Sequence, residues 1–122
     1  MLSLSPAVRI FLCTRITDMR CGFYRLAMLA ETVLQQDPYS GHLFVFFNRR
    51  GDRCKILYWD RTGFCLIYKC LEQGVFRLPC YGNEQERREV DITDLSLILE
   101  GIELDAVHRR KRYTRVPVTE TV

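Results

Sequence analysis

Gly41-His42-Leu43-Phe44-Val45-Phe46-Phe47-Asn48-Arg49-Arg50-Gly51-Asp52-Arg53-Cys54-Lys55-Ile56-Leu57-Tyr58-Trp59-Asp60 is the stretch that decides the fold. Leu43–Phe47 is an unbroken run of apolar side chains without polar alternation, which predicts a strand buried on both faces. Asn48 to Asp52 carries turn residues, and Arg53–Trp59 predicts a second strand. Asp60-Arg61-Thr62-Gly63 is a second turn, Phe64–Leu71 a third strand, and Val75–Leu78 a fourth beyond Gln73-Gly74. Turns this short join antiparallel neighbours, so the segment reads as a meander.

Upstream, Val8–Thr14 is apolar enough for a first strand. Thr17 or Asp18 can cap a helix over 22–36, whose stripe is Phe23, Leu26, Ala27, Ala30, Val33 and Leu34. Pro38 stops it by disfavouring helical backbone at Asp37. Downstream, Pro79 to Glu89 reads as a polar connection. Asp91 caps a helix over 92–100, with Asp94 near its positive end and the stripe Ile92, Leu95, Ile98, Leu99 and Ile102. Gly101 terminates it. The expected fold is α+β: one domain over residues 1–104, a curved antiparallel β-meander of four or five strands with the first helix packed on it and the short second helix closing an end. A partly open barrel is the alternative geometry. Residues 105–122 form a flexible basic arm in this reading.

Composition is that of a globular domain. The chain has 122 residues, 48% hydrophobic and 27% charged, enough to bury a core without metal or disulfide. A net charge of +3 does not by itself indicate nucleic acid. Fifteen of the eighteen cations are Arg, a side chain suited both to phosphate and to protein interfaces. The six cysteines include no C-x-x-C pair and the two histidines are far apart, so no metal site is expected. No leader pattern is visible, which predicts free thiols in a reducing cytoplasm. No apolar run is long enough to span a membrane.

Catalytic chemistry finds no local signature. No Cys–His motif occurs, Asp18, Asp37, Asp52 and Asp60 sit where turns and caps want a carboxylate, and the glycines are isolated turn residues. No catalytic residue, metal or cofactor is expected. Cationic clusters are the better candidates. Arg49, Arg50 and Arg53, with Lys55, gather at a hairpin tip, and Arg109, Arg110, Lys111 and Arg112 lie in the arm. Both could hold phosphate, and the tip could equally be a solvated turn. Strand register decides whether Lys55 joins Lys69 and Trp59 in one cationic strip. If Lys55 faces Lys69 the strip exists; if it faces Tyr68 the cations fall on different faces. Trp59 reads more readily as core than as a stacking platform.

The same residues carry a resemblance. Thr17-Asp18-Met19-Arg20-Cys21-Gly22-Phe23 with Leu26 is one block. Asp37-Pro38-Tyr39-Ser40-Gly41-His42-Leu43-Phe44-Val45-Phe46 is a second. Arg49-Arg50-Gly51-Asp52, Lys55-Ile56-Leu57-Tyr58-Trp59-Asp60 and Gly63-Phe64-Cys65-Leu66 form a third, which Lys69, Leu71-Glu72-Gln73-Gly74 and Phe76 continue. Leu99-Glu100-Gly101-Ile102 closes the series. In this order they resemble the TnpB-type accessory protein of the insertion sequence 66 family of transposable elements. The resemblance implies an accessory role in transposition beside a separate transposase, and no nuclease activity. Cys70 and Cys21 stand where many relatives are basic, and Asn48 where Gly or Arg is commoner, which interrupts a continuous basic face.

Two functions are therefore expected to compete. One is a non-enzymatic, DNA-associated transposition factor acting at the element ends through Arg49, Arg50, Arg53, Lys55, Lys69 and the arm. The other is an adaptor that meets the transposase or another accessory subunit through Phe47, Tyr58 and Trp59 without touching DNA.

Overall fold

A computed structural model describes residues 5–78 and 86–101. The elements are β1 (Ile10–Cys13), α1 (Phe23–Thr32), β2 (Leu43–Phe47), β3 (Arg53–Asp60), β4 (Gly63–Cys70), β5 (Arg87–Val90) and α2 (Ile92–Leu99). They build one open five-stranded sheet in the order β4-β3-β2-β1-β5. The α+β class is as expected, and β2, β3 and β4 form the expected meander.

Two features differ from the sequence reading. β1 pairs β2 in parallel, Ile10 to Leu43 through Cys13 to Phe46, so the sheet is mixed rather than wholly antiparallel. The helix between the two strands carries the chain back to the end of the sheet where β1 began, so β2 runs parallel to it. The fifth strand lies not at Val75–Leu78 but at Arg87–Val90, overlapping the end of the stretch read as a polar connection, antiparallel to β1. An edge strand needs backbone pairing more than apolar side chains, and only Val90 of this one is buried.

Alternation across the pleat sorts the core into two layers. Phe11, Cys13, Phe44, Phe46 and Leu57 face α1, meeting Leu26, Ala27, Ala30 and Leu34. Ile10, Leu12, Val45, Cys54 and Ile56 face the other way, onto Leu95 and Ile98 of α2 and Phe76 of the 71–78 segment. Both faces of β2 are thus covered, which is why its sequence has no polar alternation. Each of these large side chains contributes about 1.5–3 kcal/mol by burial.

The helix ends follow different rules. Asp91 caps α2 as expected, its carboxylate accepting the Asp94 N–H at 2.8 Å, and Gly101 ends it at φ +78°. α1 has no side-chain cap; its N-cap is Gly22, not Thr17 or Asp18. It ends at Thr32, short of the expected 36. Gln35 turns left-handed at φ +57° there, and the Gln36 N–H returns to the Ala30 carbonyl at 3.0 Å. With no cap and no acidic first turn, α1 depends on tertiary contacts to fix where it starts.

Candidate nucleic-acid interface

Asn48 builds the β2–β3 turn. Its backbone N–H donates to the Arg53 carbonyl, its side-chain oxygen accepts the Arg53 N–H at 3.0 Å, and its amide donates to the Asp52 carboxylate at 2.8 Å. The Gly51 N–H closes the turn onto the Asn48 carbonyl at 3.1 Å. Gly51 sits at φ +75°, and a Cβ there would come 3.5 Å from the Val75 Cβ. Outside contacts brace the turn from both sides: the Thr17 N–H donates to the Phe47 carbonyl at 2.9 Å and the Phe76 N–H to the Gly51 carbonyl at 2.7 Å. Arg49 and Arg50 are thereby held out on a rigid turn. Both are exposed, and neither has an ion-pair partner among the described residues. Their guanidinium groups remain available to an external anion.

An open cleft of about 680 Å³ runs beside them, lined by Asp18, Met19, Asn48, Arg49, Arg50 and Arg53 among others. Across Asp18 it adjoins a second cleft lined by Arg20, Cys21, Gly22 and Arg25. Five arginines, Arg20, Arg25, Arg49, Arg50 and Arg53, therefore border two clefts that share one residue. Only two carboxylates stand among them, both already engaged. Arg20 binds Asp18 through its backbone N–H and a bidentate guanidinium fork, with Nη2–Oδ2 at 2.7 Å, and these bonds pull the Asp18 carboxyl down to about 2. The Asn48 amide holds Asp52 below its usual range, with Arg50 and Arg53 adding to the pull. Arg20 and Arg25 were not singled out in the sequence; the short Asp18-Met19-Arg20 spacing, a local turn pairing, was the available signal.

The other candidates are placed differently. Register pairs Lys55 with Tyr68 and Cys54 with Lys69, so the two lysines lie on opposite faces and no cationic strip forms. Lys55 is only 7% exposed; its Nζ donates to the Cys21 carbonyl at 2.8 Å and lies 4.8 Å from the Tyr68 ring centroid. Lys69 Nζ donates to the Leu99 carbonyl at 2.7 Å, at the C-terminal end of α2, where a cation satisfies an orphan carbonyl and the helix dipole. Both lysines hold helix ends. Arg53 is exposed and its Nη1 donates to the Tyr68 hydroxyl at 3.2 Å. Arg109, Arg110, Lys111 and Arg112 lie outside the described residues.

The expected apolar interface also divides. Phe47 is buried against Phe76 and presents no surface. Tyr58 is half-buried on the α2 side. Trp59, read as core, lies half-buried at the end of β3, where the sheet stops. There it packs with Tyr39 and Phe64 at 5.0 Å each and lines a cleft.

Among the described residues, Cys13, Cys54 and His42 sit where burial disfavours their charged forms. Burial pushes the Cys13 and Cys54 thiols up, Cys54 to about 11. His42 Nδ1 accepts the Arg9 backbone N–H at 3.0 Å, and burial lowers the imidazole's pKa. Among the described residues no group of three or more His, Cys, Asp or Glu is placed to hold a metal ion, and no helix is long and apolar enough to cross a membrane.

Fold and site together define a small α+β domain with one arginine-rich end. The chain belongs to the IS66 Orf2-like family, whose model matches residues 8–109. Members are accessory proteins of IS66-type insertion sequences, and the family is not known as catalytic. The chain is similar to protein y4hO of Sinorhizobium fredii (strain NBRC 101917 / NGR234), 37% identical over 116 residues that cover 95% of this chain and 99% of the relative. It is also similar to protein y4jC of the same strain, 35% identical over 118 residues with coverage of 95% and 99%. No solved structure matches.

Proposed function

We propose that this protein is a non-catalytic accessory factor of insertion-sequence transposition that holds DNA at its arginine-rich end. Arg49 and Arg50 are the primary phosphate contacts, with Arg25 and Arg53 beside them and Arg20 sharing its charge with Asp18. The observation that carries the reading is the braced turn with two exposed guanidiniums and, among the described residues, no carboxylate partner. Arginines kept for solubility alone need no such bracing, whereas a preformed pair presents phosphate-binding forks at low entropic cost. Residues 105–122, with four consecutive cations at Arg109 to Arg112, supply a second, non-specific phosphate contact in this reading.

The absence of catalysis is supported by the state of the reactive groups. Among the described residues, the buried thiols of Cys13 and Cys54 are poor thiolates, the His42 Nδ1 lone pair is occupied, and Asp18 and Asp52 are held as anions by hydrogen bonds, unsuited to give up or take a proton near neutrality. The test is fluorescence anisotropy with labelled element-end DNA. Arg49→Glu with Arg50→Glu is expected to weaken binding by at least about tenfold, since each lost charge contact is replaced by a repulsive one. Unchanged affinity would remove the turn from the interface.

A further inference from the structure

We propose that the nucleic acid taken up by this protein is unpaired where it meets the α1 side, its bases stacking in an aromatic cleft that continues the arginine surface. The inference rests on the DNA-holding reading and narrows it to one substrate class.

Tyr39, Trp59 and Phe64 form a closed triangle of rings, with centroids 5.0 Å apart for Tyr39–Trp59, 5.2 Å for Tyr39–Phe64 and 5.0 Å for Trp59–Phe64. Tyr24 stands edge-on to Phe64 at 6.1 Å. The triangle lines an open cleft of about 370 Å³. Tyr24 is 77% exposed and Tyr39 55%. Mutual packing fixes the rings, while their outer faces stay in solvent. A rigid, exposed set of π-faces is what a flat aromatic ligand stacks on, and it loses little entropy in doing so.

Charge indicates which flat ligand. The first turn of α1 separates the two kinds of surface: Gly22 and Arg25 line the arginine cleft, while Phe23 and Tyr24 line the aromatic one. The pleat of β3 joins them a second way. Arg53 and Trp59 lie six positions apart on one face of the strand, a span of about 20 Å, with the start of α1 over the residues between. Arg61, exposed at the β3–β4 turn and next in sequence to Thr62 of the cleft lining, adds a further cation, and neither it nor Arg25 has an ion-pair partner among the described residues. Of the nearby carboxylates, Asp37 is engaged by the Tyr39 N–H at 2.9 Å, and Asp60 adjoins Arg61. An anionic backbone with pendant aromatic rings satisfies both surfaces together. Duplex DNA satisfies only the arginines, because its base faces are already stacked on one another. An apolar peptide satisfies only the rings.

Trp59 is the sole tryptophan of the chain, so its emission reports directly on this cleft. The full-length protein is titrated with an oligodeoxythymidine of about sixteen nucleotides and with a duplex of equal length. The single strand is expected to bind more tightly and to quench Trp59; the duplex is expected to leave the emission nearly unchanged. Tyr24→Ala and Tyr39→Ala, both at exposed side chains, should each cost about tenfold in single-strand affinity with duplex affinity unmoved, their thermal melts confirming the fold. Equal binding of both forms without quenching, or single-strand binding indifferent to both tyrosines, overturns this inference and leaves the arginine surface as a duplex site. Binding of neither form defeats the DNA reading itself and this inference with it. Saturation of the cleft by a proline-rich peptide, insensitive to salt and with no oligonucleotide response, overturns it in favour of a protein partner.

Discussion

Replacing Lys55 with methionine separates a phosphate contact from a structural anchor. Lys55 lies close to the arginine turn in sequence, yet it is 7% exposed, its Nζ is 2.8 Å from the Cys21 carbonyl, and it sits over the Tyr68 ring. Cys21 immediately precedes Gly22, the side-chain-less N-cap of α1, so this bond fixes where the helix begins. Methionine keeps the stem and loses the charge. The hydrogen bond from a charged donor contributes about 1.5–3 kcal/mol, and the cation–π contact about 0.5–1 kcal/mol. Relief of the buried ammonium's desolvation offsets part of that, leaving a net loss of about 2 kcal/mol. With an unfolding entropy of about 2.1 cal/mol/K per residue over 122 residues, Tm should fall by about 8 °C. Calorimetry measures the shift, and anisotropy well below Tm should show DNA affinity unchanged. A Tm within about 2 °C of wild type, together with a DNA salt slope reduced by about 0.9, would refute the assignment and return Lys55 to the binding surface.

Other outcomes follow from the same geometry. Lys69→Met removes the donor to the Leu99 carbonyl and should lower Tm by about 4 °C; hydrogen exchange should quicken in α2 and not in α1. Burial disfavours the charged form of His42, and the nearby Arg9 charge adds to that, so its folded pKa lies below its unfolded value of about 6.5. The resulting stability is present above that pH and is lost as pH falls through the unfolded value towards the folded one. His42→Asn should therefore show a smaller Tm drop than wild type between about pH 7.5 and 5.5. Under a thiol reagent the exposed Cys70 should react first among the described cysteines. Cys13 and Cys54, buried and raised in pKa, should react only as fast as the protein unfolds.

The meander was legible because its signals are local. Asn48 to Asp52 and Asp60 to Gly63 carry turn chemistry, and Leu43–Phe47 shows by its lack of alternation that both faces are covered. Asp91 announced α2 by the same kind of local rule. The parallel pairing of β1 with β2 is not local: α1 and a loop separate the strands, and no residue in either encodes the partner. Arg87–Val90 was invisible as a strand because its pairing is made by backbone groups while three of its four side chains stay outside the core.

The register of β3 on β4 is fixed by the loop that joins them. A two-residue loop at Arg61-Thr62 forces Asp60 opposite Gly63, and counting outward then sets Lys55 opposite Tyr68. That count removes the proposed strip and sends both lysines to helix ends. Legibility of the arginine cleft was partial. The turn arginines stood out as a cluster, whereas Arg20 and Arg25 join them only because the chain between β1 and α1 folds back over the hairpin. Tyr24 and Tyr39 escaped notice for a similar reason: they meet Trp59 and Phe64 across three separate segments, and no spacing in the sequence reports that meeting.

The salt dependence of duplex binding tests the central claim most directly. The affinity for element-end DNA is measured over a range of salt concentrations for the wild type and for Arg49→Gln with Arg50→Gln. If the braced turn holds two phosphates, the slope of log K against log salt should shrink by about 1.8, or about 0.9 for each lost contact. Identical slopes for the two proteins would contradict the account, since the turn would then carry charge without touching DNA.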